Sequence, residues 1–282
     1  KEGETLGFDG RVVSVGEGEG YAAIAGKKNA KVNYQVDLID EIWEDRPVLS
    51  EEPAFNLDVK YAGETVASKL ARIREEMKEA GTNVHVVSTL DDICWTLNIR
   101  GNDIDFFPLV LSYGIITMDS FELYIDERKL DDKLKAKLAK DGVNLHPYND
   151  IYEDVKKFDS DVVAMIDPGK LNYALFNNIP ENVKTVKKRN PAILMKAVKN
   201  PVEIENIRKA QIKDSVAHVR FMKWLKENVG KMRITEMSAS DKLDEFRAEM
   251  GKFIRPSFEP ISSFGEHGAI VHYTSSPETD VE

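Results

Sequence analysis

Imidazoles, carboxylates and a single thiol are the side chains here that could build a reactive site, and their spacing limits what they could do. The histidines are His85, His146, His218, His267 and His272. The last two lie five apart in FGEHGAIVHY, beyond a stretch holding Gly265 and Gly268. Successive side chains of a strand point to opposite faces, so an odd separation excludes a simple metal pair if both lie in one strand. With His267 in a loop the geometry is open, and the terminal acids Glu278, Asp280 and Glu282 could then join a ligand set, although a charged end is ordinarily solvated. His85 and His146 sit in strand-like or loop segments with no partner nearby, and His218 lies on a long helical pattern, so each reads as structural or as surface. The lone cysteine, Cys94, excludes an intramolecular disulfide and fits a reducing compartment. There is no GxSxG, HExxH, phosphate loop or CxxC. From the residues alone, a complete catalytic constellation is absent.

Composition narrows the class. The 39 basic and 49 acidic residues give a net charge of −10, the wrong sign for a protein that must neutralise phosphates, so nucleic acid is not an expected partner. No run reaches the ~18–20 apolar residues of a membrane span. The best candidate, Phe106 to Met118, is broken by Pro108, Ser112 and Gly114. The N-terminus has no signal-peptide pattern. A soluble, cytoplasmic protein is expected, and 282 residues suit about two domains of roughly 150 each.

Three blocks supply the elements. The first, residues 1–48, reads as strand (TLGFDGRVVS), helix (GYAAIAG), strand (KVNYQV) and a helical turn (LIDEIW); it is too small to bury its own core and looks like the tail of a domain. The second, residues 57–193, opens on the helix ETVASKLARIREEMKEAG, with Val66, Leu70, Ile73 and Met77 on one face and Gly81 at its end. NVHVV and ICWTLNI follow as expected strands, then LVLSYGIITM and FELYID as a hairpin turning at Asp119-Ser120. LDDKLKAKLAKDG (helix), DVVAMID (strand), LNYALFNNI (helix) and TVKKR complete an alternating α/β pattern. The third, residues 196–282, starts with a long helix whose cap is Asn200, with Pro201 at the first turn and Glu203 three residues after the cap. A second helix follows Thr235, and SFEPISSFGEHGAIVHY reads as strand, glycine-bearing loop, strand. An internal echo links the first two blocks. GFDGRVVS with its following helix and strand resembles AMIDPGKLNYALF with TVKKR, as two domains of one fold in series would.

Several segments resemble the three-domain Xaa-Pro aminopeptidases, that is, aminopeptidase P of the creatinase and methionine-aminopeptidase superfamily. They are LIDEIWEDRP at 38–47, STLDDICWTLNIRGNDIDFFPLVLSYGII at 88–116, ILMKAVKNPVEIENIRKAQIKDSVA at 193–217, TEMSASDKLDEFR at 235–247 and PISSFGEHGAIVHYTSSPET at 260–279. The resemblance implies an α/β fold: the C-terminal part of one creatinase N-terminal-like domain, a full second copy with a mixed sheet and flanking helices, and the start of a pita-bread α+β catalytic domain. It implies a chain truncated at both ends, consistent with a first residue that is Lys rather than Met.

The resemblance also implies release of the N-terminal residue from peptides with proline second. That bond is awkward for peptidases that grip an extended backbone, because proline has no N–H. Two divalent metal ions, typically manganese, would carry the chemistry, with their five carboxylate and histidine ligands downstream of Glu282 and none in this chain. His272 matches the histidine beside that centre that hydrogen-bonds the substrate carbonyl or its oxyanion. His267 stands where asparagine is usual and would sit at the pocket rim. Arg100, with Trp95, matches an architectural element. The 282-residue chain alone is expected to be inactive, and the parent a homodimer. A prolidase-like dipeptidase and a non-catalytic peptide- or protein-binding module of the same fold are the alternatives.

Overall fold

β-branched and aromatic runs bounded by Asp, Asn and Gly set the strands, and amphipathic runs with polar caps set the helices. The computed structural model describes residues 2–282. They fall into two units: the first holds the chain to Ile104 together with Pro108–Lys199, and the second holds Asp105–Phe107 and Asn200–Glu282.

The first unit begins with β1 (Thr5–Gly7), α1 (Val15–Gly26) and β2 (Lys31–Asn33), in which β1 and β2 pair in parallel. After a stretch of turns come β3 (Phe55–Asn56), α2 (Val59–Ala62), α3 (Val66–Glu79), β4 (Val84–Val87), α4 (Leu90–Leu97) and β5 (Ile99–Arg100). The hairpin β6 (Ser112–Thr117) and β7 (Phe121–Ile125) leads to α5 (Asp132–Lys140), β8 (Val143–His146) and α6 (Ile151–Asp154). The unit closes with β9 (Val163–Ile166), α7 (Tyr173–Asn177), β10 (Lys184–Lys187) and α8 (Ala192–Ala197).

Six strands form one mixed sheet in the order β10-β9-β4-β6-β7-β8. The first three run parallel, β6 and β7 are antiparallel to their predecessors, and β8 is parallel to β7. Both faces are covered, which is why every residue of β4 is buried. One core gathers Leu70, Ile73 and Met77 of α3, Ile93 and Leu97 of α4, and Leu134 and Leu138 of α5 against Ile116, Phe121 and Leu123. The other gathers Val15 of α1, Ile151 and Val155, and Leu175 of α7 against Val86 and Ile166. The four expected residues of the α3 face are all in the core, and Gly81, at φ +67°, closes that helix where a side chain would be strained.

The internal echo is realised as a local two-fold. Val15 donates its N–H to the Leu171 carbonyl at 2.9 Å, and Tyr173 donates to the Val13 carbonyl at 2.8 Å. Gly16 donates to Pro168 at 2.8 Å, and Ala174 donates to Gly10 at 2.9 Å. A single shift of 158 residues, the separation of the bridged pair Ser14 and Asn172, carries each donor and acceptor onto its counterpart. Even the turns match: Asp9 accepts from Arg11 N–H, and Asp167 accepts from Gly169 N–H.

The second unit consists of α9 (Pro201–Asn228) and α10 (Glu236–Glu249) with the segments around them. Asn200 caps α9 with Glu203 returning the bond, and Thr235 caps α10 with Ser238 in the same role. Among the described residues, no helix is long and apolar enough to cross a membrane.

Three expected strands, in two segments, are absent. ICWTLNI is not a strand: its first six residues are the last five of α4 and the Asn98 that closes it, and only Ile99 enters β5. Asp91 and Asp92 occupy the first turn of α4, Asn98 closes it at φ +52°, and Ile93, Cys94 and Leu97 are drawn into the core, so packing overrides the β-propensity of this run. SFEPISSFGEHGAIVHY is likewise not strand–loop–strand. It folds into turns with a short 3₁₀ segment, Gly265–Ala269. The described residues of the second unit contain no strand that could pair with it, so its backbone bonds close locally.

Candidate functional site

Of the two histidines singled out by sequence, His267 meets α10 at its first turn. Glu236 is the first residue of that helix, where a carboxylate suits the exposed N–H groups and positive end of the dipole. Its side chain is 1 % exposed. Around it converge the Nδ1 of His267, at 3.0 and 3.1 Å from the two carboxylate oxygens, the Tyr273 hydroxyl, donating at 2.7 Å, and the backbone N–H of Phe264. The His267 ring stacks on Tyr273 with centroids 4.4 Å apart. Burial opposes the charge on Glu236, but the bonds from Tyr273, Phe264 and His267 outweigh it and hold the carboxyl below its ordinary range. Burial pushes the Tyr273 hydroxyl up, as does its carboxylate partner.

His272 takes no part in this cluster. Its backbone is left-handed at φ +55°, and its imidazole is exposed with no hydrogen-bond partner among the described residues. Tyr273 N–H bonds back to the Ile270 carbonyl, so the turn that buries Tyr273 is the one that turns His272 outward. The two histidines are thus separated, one clamped in a buried cluster and the other free at the surface. Glu236 and Tyr273 carry that cluster, and nothing in the sequence reading marked them. The only signal was the helix expected after Thr235, which places Glu236 at a helix start.

The remaining candidates are structural. His85 is buried, with Nδ1 3.0 Å from the Met165 carbonyl and Nε2 3.1 Å from Asn190 Oδ1, and burial lowers its pKa. His146 is 2.7 Å from Glu122 and stacked on Tyr124, so neither histidine is without a neighbour as the sequence suggested. His218 lies 3.6 Å from Asp214 on the preceding turn of α9. Arg100 donates to the carbonyls of Cys94 and Ile99, and Lys69 sits 4.3 Å over the Trp95 ring, which makes both matched residues architectural.

A metal pair needs several carboxylates and imidazoles facing one point. Among the described residues no group of three His, Cys, Asp or Glu side chains does so. Asp280 is taken by the Met237 N–H, and Glu278 by the Ser276 hydroxyl. The donor set of the described residues does not fit a two-metal centre.

Residues 45–203 match the family model of the creatinase/prolidase N-terminal domain, and residues 205–282 match that of metallopeptidase family M24. The chain is 35 % identical to Xaa-Pro aminopeptidase 1 of Dictyostelium discoideum, over 97 % of this chain and 46 % of that protein. It is 33 % identical to a Xaa-Pro aminopeptidase of Drosophila melanogaster, over 86 % of this chain and 40 % of that one. The crystal structure of an X-prolyl aminopeptidase from Caenorhabditis elegans, described as a cytosolic enzyme with a di-nuclear active site, superposes with a TM-score of 0.92 at 32 % identity. That match covers 99 % of this chain and 46 % of the other. The chain therefore spans about half the length of the curated relatives it matches.

Proposed function

The chain belongs to the creatinase/prolidase N-terminal domain family, and from that membership we propose that it is part of a metal-dependent aminopeptidase that releases the N-terminal residue from peptides with proline second. The observation that carries this reading is the superposition on an X-prolyl aminopeptidase along nearly the whole chain, both units included. The M24 match in the second unit adds a metallopeptidase domain to the creatinase-type one.

In this reading residues 1–48 end one creatinase-like domain, residues 57–193 form a second, and residues 196–282 begin a pita-bread catalytic domain. The 158-residue correspondence around Ser14 and Asn172 supports the first two as copies. Two divalent ions, manganese by preference, would be held by residues beyond this stretch and would supply Lewis-acid chemistry. His272, exposed and unpartnered, is available to donate a hydrogen bond to a substrate carbonyl as charge develops on it. His267, fixed by Glu236, would shape the pocket rim. The whole enzyme would act in the cytosol as a homodimer.

The test is an assay of the 282-residue chain and of a longer protein containing it, with a Xaa-Pro peptide and manganese. The longer protein is expected to cleave and the chain alone to be silent. In the longer protein His272→Ala should lower kcat by about 10²–10³, the cost of losing one oxyanion donor. Turnover by the short chain, or a longer protein indifferent to His272→Ala, overturns the corresponding part.

A further inference from the structure

Three adjacent parallel strands, β4, β9 and β10, end on the same edge of the sheet. The residues that follow them open a cavity of about 480 Å³ in the first unit. Its position is specific. From β4 the chain runs outward through β6, β7 and β8, then returns to β9 on the other side of β4. A crevice beyond the carboxyl ends of strands at such a reversal is where open α/β sheets take their ligands. The volume falls within the roughly 300–1,000 Å³ of small-molecule sites.

The lining is cationic in a chain whose net charge is −10: Lys170, Lys187, Lys188, Arg189 and Lys196 face three carboxylates. Those carboxylates are already engaged. Asp92, 1 % exposed, accepts from Thr89 at 2.6 Å, Asn190 at 2.8 Å and Lys196 at 2.6 Å. Asp91 shares the Lys196 ammonium, and Asp167 accepts the backbone N–H groups of Gly169 and Asn190. Asn190 is in turn fixed by buried His85, which gives the cavity a rigid floor. Lys187 and Lys188 pair with half-exposed Glu19 and Glu76, contacts that water and salt weaken. The side-chain charges of Lys170 and Arg189 have no hydrogen-bond or ion-pair partner among the described residues, although the Lys170 backbone bonds Asp167 and Ser88. The acids are held by hydrogen bonds and by Lys196, which fixes their positions without cancelling all of their charge, while two cations of the lining are uncommitted.

We propose that this cleft binds a small polyanion of the phosphate class, a diphosphate or a phosphate ester, with Arg189 and Lys170 as its principal contacts. The planar guanidinium of Arg189 matches two phosphate oxygens at once, and Lys170 supplies a second charge from the β9 loop. Lys187 and Lys188 exchange their exposed acidic partners for the ligand.

Calorimetric titration of the 282-residue chain with inorganic pyrophosphate, ADP and citrate, at low and at physiological salt, decides the matter. One saturable pyrophosphate site is expected, weaker in salt and at least about tenfold weaker in a Lys170→Ala/Arg189→Ala variant of unchanged circular dichroism and Tm. Lys209→Ala on α9 should leave it unchanged. ADP binding no tighter than pyrophosphate means that the diphosphate alone is recognised; tighter ADP binding identifies a nucleoside phosphate. Absence of saturable pyrophosphate binding, indifference to the double substitution, or citrate binding as tight as pyrophosphate overturns the proposal.

Discussion

Ser14 and Asn172 face each other in an isolated antiparallel bridge, and each is the N-cap of the helix that follows it. Ser14 accepts from Glu17 N–H and Asn172 from Leu175 N–H, the same three-residue reach on both sides. Four backbone bonds surround the pair in equivalent couples, so the strand-to-helix junctions of the two halves are joined by the groups they have in common. The joint is also closely packed, with the Tyr173 ring against Gly18 of α1 and edge-on to Tyr34 at 5.0 Å.

That packing gives two glycines of one helix opposite responses. A Cβ on Gly18 would strike the Tyr173 ring, whereas one on Gly20 would meet nothing within 4 Å. Alanine in place of glycine favours a helix by about 0.8–1 kcal/mol. Overpacking costs about 1–3 kcal/mol, which outweighs the gain at Gly18 but does not arise at Gly20. Gly20→Ala should raise the midpoint of thermal unfolding and Gly18→Ala should lower it. Equal shifts of the same sign would disprove the close contact.

Lys129 and Asp103 form an ion pair at 2.6 Å with side chains 2 % and 0 % exposed. Asp103 Oδ2 also accepts the Leu111 N–H at 2.6 Å, and its Oδ1 has no partner. Lys129→Met strands a buried carboxylate and should cost about 3–5 kcal/mol. Adding Asp103→Leu should recover part of this, leaving roughly the 1–3 kcal/mol of an unsatisfied Leu111 N–H. Denaturant titration of the single and double variants checks the order; a double variant less stable than the single one would refute the account.

What could be read from sequence was what local chemistry fixes. The α3 stripe, the Asn200 cap, the helix after Thr235, the hairpin at Asp119-Ser120 and the echo between Asp9 and Asp167 depend on residues near one another in the chain. The helix at Leu90–Leu97 was missed because Ile93, Trp95 and Thr96 resemble a strand until the rest of the core packs on them. The Glu236–His267–Tyr273 cluster was missed for a different reason. Its members lie up to 37 residues apart, and no spacing rule joins the start of a helix to a turn so far along. The anionic partners of the cleft lysines, Glu19 and Glu76, are more distant still.

Cys94 should be inert in the native protein. It is buried beside Arg100 on α4, and burial pushes its thiol up to about 11, so the reactive thiolate is scarce at neutral pH. Labelling by a disulfide reagent is expected to be slow in buffer and to accelerate only where denaturant begins to open the first unit. Rapid stoichiometric labelling without denaturant would show that α4 opens locally.

The last prediction concerns Glu236, whose three donors hold its carboxyl below the ordinary value of 4.5. A carboxyl depressed on folding contributes stability above its unfolded pKa, and that contribution is lost as pH falls through the lower, folded value. The turn carrying Phe264, His267 and Tyr273 should therefore hold unchanged from neutral pH down to about 4.5 and loosen below it, as the protonated acid gives up its acceptor role. Carbon NMR of the Glu236 carboxyl should titrate with a midpoint below 4.5, and exchange of the Phe264 amide should quicken over the same range. In Glu236→Gln, which cannot titrate, the amide should exchange faster at neutral pH and lose this acid-side dependence. Tyr273→Phe removes one of the three donors and should move the carboxyl midpoint upward. A midpoint at or above 4.5 in the unaltered protein would mean that burial, not hydrogen bonding, governs this carboxylate.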